Sequence, residues 1–198
     1  APVSAIAGGL ELWDKFFPPV GLTNFQTISE PRLEKKLGVK GFRLPPVVDE
    51  NQKDDNGNPD NRTLAALRFP DWLQCPDCDR IAPSDKWSHE PGKAYRYCPK
   101  CTSKSPGQRK VFVVPVRFVM ACSSGHIEDF PWHHWVGHDK ACTNKKGFLL
   151  LKSVRPGLAG VILSCPTCGA SRSMDGIFSG DAWKGFRCGG KRPWLNAP

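Results

Sequence analysis

The sequence lacks any long apolar run, since no stretch approaches the roughly 18 apolar residues that a membrane-spanning helix needs. Its mildly apolar start has no basic stretch, so no signal peptide is predicted. The phosphate-binding patterns GxxxxGK(S/T) and GxGxxG are missing, and so is the GxSxG pattern of hydrolase nucleophiles. We therefore expect a cytoplasmic protein that has no membrane partner and no nucleotide cofactor.

The sequence also lacks the material for a large hydrophobic core. Of its 198 residues, 39% are hydrophobic, and 19 prolines and 19 glycines predict short elements joined by many turns. Bound metal replaces buried area in small modules of this kind. We expect an α+β fold made of β-rich, small zinc-ribbon modules with a few short helices.

Cysteine, in contrast, is plentiful. The odd number of nine argues against a complete disulfide framework, and the spacing favours zinc in a reducing compartment. Two thiolates three positions apart on a tight turn can bind one face of a zinc ion, and two such turns complete a tetrahedron. The spacing from Cys75 to Cys101 is C-x2-C-x19-C-x2-C, which predicts a four-cysteine zinc ribbon. Six cysteines form three Cys-Pro-x-Cys pairs: Cys75/Cys78, Cys98/Cys101 and Cys165/Cys168.

A second zinc site is expected in the C-terminal half, so that the chain would hold two zinc ions. A shift of ninety positions places the first three ribbon cysteines on Cys165, Cys168 and Cys188, but the fourth on Lys191. A closed site needs four ligands. The first choice for the fourth is Cys142, because it completes an all-cysteine site; the alternates are Cys122 and His126. A separate site made of Cys122, His126, His138 and Cys142, with C-x3-H-x11-H-x3-C spacing, would leave the second ribbon incomplete.

The net charge of +9 lies entirely in the second part of the chain. Residues 1–70 hold nine basic and nine acidic side chains, whereas residues 71–198 hold nineteen and ten. Two four-cysteine zinc sites would lower the charge to about +5. The excess predicts a polyanion such as DNA as a partner, although an acidic protein would fit as well. The expected DNA contacts are Lys145, Lys146, Lys152, Arg155, Arg172, Lys191 and Arg192, with Lys184 and Arg187 nearby and tryptophans interleaved.

Three segments are predicted along the chain: 1–66, helical and loop-like; 67–110, the first ribbon; and 111–198, strand-rich with the second site. Ser29, Pro31 and Gly38 predict the start and end of a helix, and a second helix is expected around 10–16. The polar residues 49–62 predict a mobile loop. Residues 111–121 predict a strand with Pro115 at an edge or bulge, and 148–154 and 158–164 predict a hairpin.

Residues 122–135 are rich in groups that could perform chemistry. His126, Asp129, His133 and His134 could bind a divalent ion in a metal-dependent nuclease. We favour a structural interpretation, in which the neighbouring aromatic side chains pack, because these ligands would crowd one loop. No catalytic residue is predicted.

Longer patterns resemble a known family. They include Gly-Leu-Glu-Leu-Trp13, the segments 37–46, 68–78 and 117–132, and Cys188-Gly-Gly-Lys-Arg-Pro-Trp-Leu195. Together they resemble the DrmB family of accessory proteins in DISARM anti-phage systems. The resemblance implies a bacterial defence protein that works with the helicase of the same system on invading DNA. The resulting hypothesis is a non-catalytic, zinc-stabilised accessory protein that binds DNA and docks this helicase. The alternatives are an interaction scaffold without DNA contact and a metal-dependent nuclease around His126–His134.

Overall fold

The computed structural model describes residues 5–7, 27–43, 66–91, 93–102 and 109–195. They fall into two units: Arg68–Arg192 forms most of the larger, and Ile6–Leu67 with Pro193–Ala197 forms the smaller. The helix expected around 10–16 and the loop expected at 49–62 lie outside the described residues. Among the described helices, none has the length and apolar character needed to cross a membrane.

The smaller unit contains the predicted short helix, α1 (Pro31–Leu37). Pro31 occupies its first turn, and Gly38 ends it with a φ of 67°, as the sequence predicted. Ser29 does not cap the helix as expected, because its hydroxyl donates to the Glu34 carboxylate instead. Two pairs of short strands complete the described N-terminal part: β2 (Thr27–Ile28) pairs with β3 (Phe42–Arg43), and β1 (Ala5–Ala7) pairs with β4 (Ala66–Arg68).

The larger unit is built on a six-stranded antiparallel sheet with strand order β12-β11-β10-β6-β5-β7. A separate hairpin, β8–β9, precedes the short helix α2 (Trp132–Val136). The β-rich α+β fold class predicted from the sequence is confirmed. The strands are β5 (Trp72–Gln74), β6 (Arg80–Pro83), β7 (Val114–Pro115), β8 (Val119–Ala121), β9 (Ile127–Asp129), β10 (Leu149–Ser153), β11 (Val161–Ser164) and β12 (Ser171–Ser173).

This sheet joins the two segments that the sequence suggested as separate modules. Leu149 of β10 pairs with Ile81 of β6, so residues 67–110 and 111–198 share one hydrogen-bonded sheet. The strand expected at 111–121 is divided into β7 and β8. Pro115 lies in β7 at the sheet edge, where a missing N–H removes no ladder bond. The predicted hairpin is present as β10 and β11.

The core of the larger unit packs α2 on one face of the sheet. Trp132 and Trp135 are fully buried, α2 contacts β11 and β12, and the Phe130 ring centroid lies 4.7 Å from that of Trp132. A smaller cluster around Leu73 and Trp87 contains the buried cysteines Cys75 and Cys98. Cysteines are therefore part of both cores, so their chemistry affects the stability of the whole unit.

Candidate metal centres

The three Cys-Pro-x-Cys turns share one backbone design. In each, the residue after the second cysteine donates its N–H to the carbonyl of the first, at 2.9–3.0 Å: Asp79 to Cys75, Thr102 to Cys98 and Gly169 to Cys165. The turns at Cys75 and Cys165 each connect two strands of the sheet, β5 to β6 and β11 to β12. These two cysteine pairs are thus positioned by the tips of hairpins of the sheet.

The two hairpin turns require a left-handed residue at the same place. Asp79 has a φ of 57° and Gly169 has a φ of 74°. Asp79 is the one non-glycine residue with positive φ among the described residues. Its carbonyl accepts the N–H of Leu151 at 2.9 Å, which ties the first hairpin to β10.

The first cluster consists of Cys75, Cys78, Cys98 and Cys101, the four cysteines of the predicted ribbon. Their sulfur atoms all lie within 4.8 Å of one another. The sulfurs of Cys78 and Cys98 are 3.9 Å apart, far longer than a disulfide of about 2.05 Å. Zn–S bonds of about 2.3 Å in a tetrahedron place two sulfurs about 3.8 Å apart. The cluster therefore has the dimensions of a four-cysteine zinc site.

Burial and the neighbouring groups shift the pKa values of three thiols of the first cluster in different directions. Burial, opposed by the N–H groups of Asp77 and Cys78, raises the pKa of Cys75 to about 11. Burial and the neighbouring sulfurs also raise the pKa of Cys101. Burial acts on Cys78 too, but the N–H of Arg80 and the neighbouring thiols lower its pKa. A divalent ion would supply the positive charge that lets all four thiolates coexist.

The second cluster consists of His138, Cys142, Cys165 and Cys168. The sulfurs of Cys142 and Cys165 are 3.9 Å apart, and His138 Nδ1 lies 3.4 Å from Cys142 Sγ and 3.7 Å from Cys168 Sγ. A tetrahedral zinc with Zn–N near 2.05 Å places nitrogen and sulfur about 3.6 Å apart. The dimensions of this cluster thus fit one zinc ion held by three thiolates and one imidazole.

The composition of the second cluster differs from the expected one. Cys142 joins Cys165 and Cys168, but His138 takes the place that the sequence interpretation gave to Cys188. Cys188 lies beside a different hairpin. Its nineteen-residue spacing from Cys168 equals that in the first ribbon, but the two cysteines do not share a site. The H-x3-C spacing of His138 and Cys142 was the signal for this half-site, although it was interpreted as part of a separate site.

Polar neighbours support the ligands of the second cluster. Burial alone would raise the pKa of Cys165, but N–H groups of Cys168 and Thr167 and the Asn144 amide lower it to about 6. The Thr167 N–H lies 3.4 Å and the Asn144 Nδ2 lies 3.5 Å from the sulfur. Such contacts favour the thiolate that a metal needs.

His133 holds the ligand His138 in place. With Nδ1 of His138 facing the sulfurs, its Nε2–H donates to His133 Nδ1 at 2.9 Å. The His133 ring packs on Trp72, with centroids 5.7 Å apart. Burial, and then the proximity of His138, lowers the pKa of His133, which keeps this ring a neutral acceptor. The arrangement matches the outer partners that usually orient metal-binding histidines.

The third cluster consists of Cys122, His126 and Cys188, which includes both alternates for the second site. Cys122 follows β8, His126 precedes β9, and the Cys122 N–H donates to the His126 carbonyl at 3.1 Å. Cys188 reaches this hairpin because the Ile127 N–H donates to the Lys191 carbonyl at 3.0 Å. The C-x3-H-x11-H-x3-C pattern is therefore divided between two clusters.

The residues of the nuclease hypothesis do not form a common site. His126 belongs to the third cluster, and His133 contacts His138. His134 is exposed and packs its ring against Phe186 at 5.0 Å. Asp129 accepts the N–H groups of Asp71 and Trp72 at 2.9 and 3.3 Å, and burial raises its pKa.

The basic residues selected from the sequence are exposed, but they differ in their contacts. Arg172 places its guanidinium 3.6 Å from the Trp135 ring centroid, and Arg192 donates to the Ser124 carbonyl at 3.4 Å. Lys184 forms an ion pair with Asp181. The remaining members, exposed on the larger unit, are Lys145, Lys146, Lys152, Arg155, Arg187 and Lys191.

Two comparisons with known proteins complete the description. A family model described as "Domain of unknown function (DUF8724)" matches residues 2–198. The chain is also similar to the DISARM protein DrmB of Bacillus paralicheniformis, with 29% identity over 144 residues. The aligned region covers 67% of this chain and 23% of that relative, so the chain spans less than a quarter of its length. The resemblance to DrmB noted in the sequence is confirmed, and the chain belongs to the DUF8724 family.

Proposed function

We propose that this chain is a non-catalytic, zinc-stabilised part of a cytoplasmic DISARM-type defence protein, which contacts DNA and docks a partner helicase. The similarity to DrmB supports the defence role. The helicase is the partner that the family resemblance implies. The cysteine clusters support metal binding. A strip of exposed lysine and arginine side chains, defined below, supports the contact with DNA.

Zinc is the metal that best suits the first two clusters. Sets of four thiolates, or three thiolates and an imidazole, in a tetrahedron are typical of structural zinc sites, and soft sulfur ligands disfavour magnesium and calcium. Both sets provide four ligands, so neither offers a position for a substrate. Both also lie at the tips of hairpins of one sheet, where a metal ion would fix the relative position of chain segments.

The observation that carries the DNA proposal is the basic strip, defined as Lys145, Lys146, Lys152 and Arg155. The first two precede β10, Lys152 lies on it, and Arg155 follows it. The four side chains are exposed. Lys146 lies in the bend before β10 and Lys152 lies six residues further on, so about 20 Å is the upper limit of the distance between their Cα atoms. A strip of this kind could contact more than one phosphate of a DNA strand.

Metal binding would leave most of the net positive charge of the chain in place. A four-cysteine zinc site carries about −2, a three-cysteine, one-histidine site about −1 and a two-cysteine, one-histidine site about zero. Full loading would thus lower the formal charge of +9 to about +6. A chain of this charge attracts DNA at low salt.

Fluorescence anisotropy with labelled single- and double-stranded DNA, over a range of salt, tests the DNA contact. The test variant is Lys146→Ala/Lys152→Ala. The matched control, Lys35→Ala/Lys36→Ala, also removes two exposed lysines, but from α1 in the charge-neutral first part of the chain. We expect the test variant alone to reduce the slope of log K against log salt by about 2.

Two results decide between the proposal and its alternatives. Equal losses in the test and control variants, or no DNA binding by the wild-type chain at low salt, would refute the contact and leave the scaffold hypothesis. Docking is tested by size-exclusion chromatography of the wild-type chain and both lysine variants with the DISARM helicase, after nuclease treatment to remove DNA. Each of the three proteins should co-elute with the helicase. Failure of the wild-type chain to co-elute would refute docking alone.

A further inference from the structure

We propose that the third cluster is an open metal centre, in which Cys122, His126 and Cys188 hold one zinc ion. Its fourth position faces the adjoining cavity and takes an exchangeable small ligand, which is water at rest. This site is additional to the two zinc sites expected from the sequence.

The three ligand atoms occupy the corners of one tetrahedral face. The sulfurs of Cys122 and Cys188 are 3.8 Å apart. His126 Nδ1 lies 3.4 Å from Cys122 Sγ and 3.6 Å from Cys188 Sγ. A zinc ion requires about 3.8 Å between sulfurs and about 3.6 Å between nitrogen and sulfur. The three atoms could thus bind one ion without rearrangement.

No cysteine or histidine of this chain remains to complete the tetrahedron. All nine cysteines and five histidines lie among the described residues. The other seven cysteines and His138 belong to the first two clusters. His133 bonds to His138, His134 packs on Phe186, and His89 is exposed outside the described clusters. Within this chain, the remaining kind of side chain that could serve as fourth ligand is therefore a carboxylate.

Glu128 is the carboxylate nearest to this role, and a backbone contact holds it aside. It follows His126 by two residues and lines the same cavity. One of its oxygens accepts the Gly189 N–H at 2.7 Å. A Cβ at position 189 would lie 2.7 Å from the other oxygen, so glycine permits this close approach. Glu128 is thus fixed by the chain segment that carries Cys188, and it does not belong to the group of ligand atoms.

The cavity beside the three ligands is large enough for an exchangeable ligand. It has a volume of about 190 Å³, and apolar side chains of Met120, Trp183 and Phe186 contribute to its lining. An apolar cavity of about 150 Å³ accommodates benzene. Zinc with two thiolates and a neutral imidazole has no net charge. Charge repulsion therefore excludes neither water, nor a small anion, nor a ring nitrogen as the fourth ligand. Sites with three protein ligands typically keep such an open position.

Metal content and cobalt spectroscopy test this inference on the purified chain. Elemental analysis should give three zinc ions for the wild-type chain and two for Cys188→Ala, whose altered side chain is exposed. The control is Ser123→Ala, an exposed neighbour of Cys122, which should keep three. With cobalt in place of zinc, azide or imidazole should change the visible spectrum of the wild-type chain and leave that of Cys188→Ala unchanged.

Two results would overturn the inference. One is two zinc ions in the wild-type chain under saturating metal. The other is a cobalt spectrum of the wild-type chain that neither azide nor imidazole alters, because a closed site has no exchangeable position. In that second case, a change in the resting spectrum with Glu128→Gln would identify Glu128 as the fourth ligand.

Discussion

Replacement of His133 by phenylalanine should weaken metal binding at the second cluster without removing a ligand. The ring keeps its contact with Trp72 but loses the nitrogen that accepts the His138 Nε2–H bond of 2.9 Å. A histidine that binds metal through Nδ1 must carry its proton on Nε2. The missing acceptor therefore penalises the metal-bound state, whereas metal-free His138 can move its proton to the other nitrogen.

The expected size of the effect follows from the burial of this pair. Loss of an outer partner of a metal-binding histidine lowers affinity about 10- to 100-fold, or about 1.4–2.8 kcal/mol. Leaving the His138 Nε2–H without its acceptor should cost a similar free energy, since a buried donor without an acceptor costs about 1–3 kcal/mol. His133 is half-buried and contacts the ligand directly, so both arguments apply to it.

Competition with a zinc chelator measures this effect. His134→Phe is the matched control, since His134 is adjacent in α2 but exposed and turned toward Phe186. We expect one of the bound ions to transfer to the chelator at lower chelator concentration in His133→Phe only. Identical titrations of the two variants would show that His133 does not orient the ligand, and a uniform loss of all ions would indicate general destabilisation instead.

Two further predictions concern stability in the zinc-loaded state. Gly169→Ala should lower the free energy of unfolding by about 1 kcal/mol in urea titrations, because its φ of 74° disfavours a Cβ. Gly180→Ala, also in open space but without positive φ, should not lower it; equal losses would contradict the strain argument. Asp129→Ala should lower stability by about 1–3 kcal/mol, because two N–H groups lose their acceptor. Asp129→Asn keeps an acceptor and removes the buried charge, so it should match or exceed the wild-type stability near neutral pH. Since burial raises the pKa of Asp129, its ionisation disfavours folding, and the advantage of asparagine should shrink as pH falls through that pKa; an advantage that grows in acid would refute the reasoning.

Local patterns in the sequence predicted several features that the structure contains. The spacing of Pro31 and Gly38 located α1, and the apolar runs around Gly157 located the β10–β11 hairpin. The Cys-Pro-x-Cys spacing identified pairs of ligands on single turns. These features depend on hydrogen bonds between residues a few positions apart, so the local sequence carries enough information to predict them.

The combination of half-sites into clusters could not be predicted in the same way. Cys168 and Cys188 repeat the spacing of Cys78 and Cys98, but Cys188 lies with the β8–β9 hairpin and His138 takes its place. Which half-sites meet depends on strand pairing and on the packing of α2, and both join residues that are distant in the chain. The x3 spacing of His138 and Cys142 marked a half-site, but its partner was decided by tertiary structure.

The second cluster is nested within the third along the chain. The third joins positions 62–66 residues apart, and the segment it encloses contains the second, whose Cys142 and Cys165 are 23 apart. Closing a loop loses more chain entropy as the loop lengthens, by about 0.6 kcal/mol for each doubling. If the inner loop, in the second cluster, closes first, the flexible chain that the outer loop of the third cluster must close becomes shorter. Loop entropy therefore favours metal binding at the second cluster before metal binding at the third.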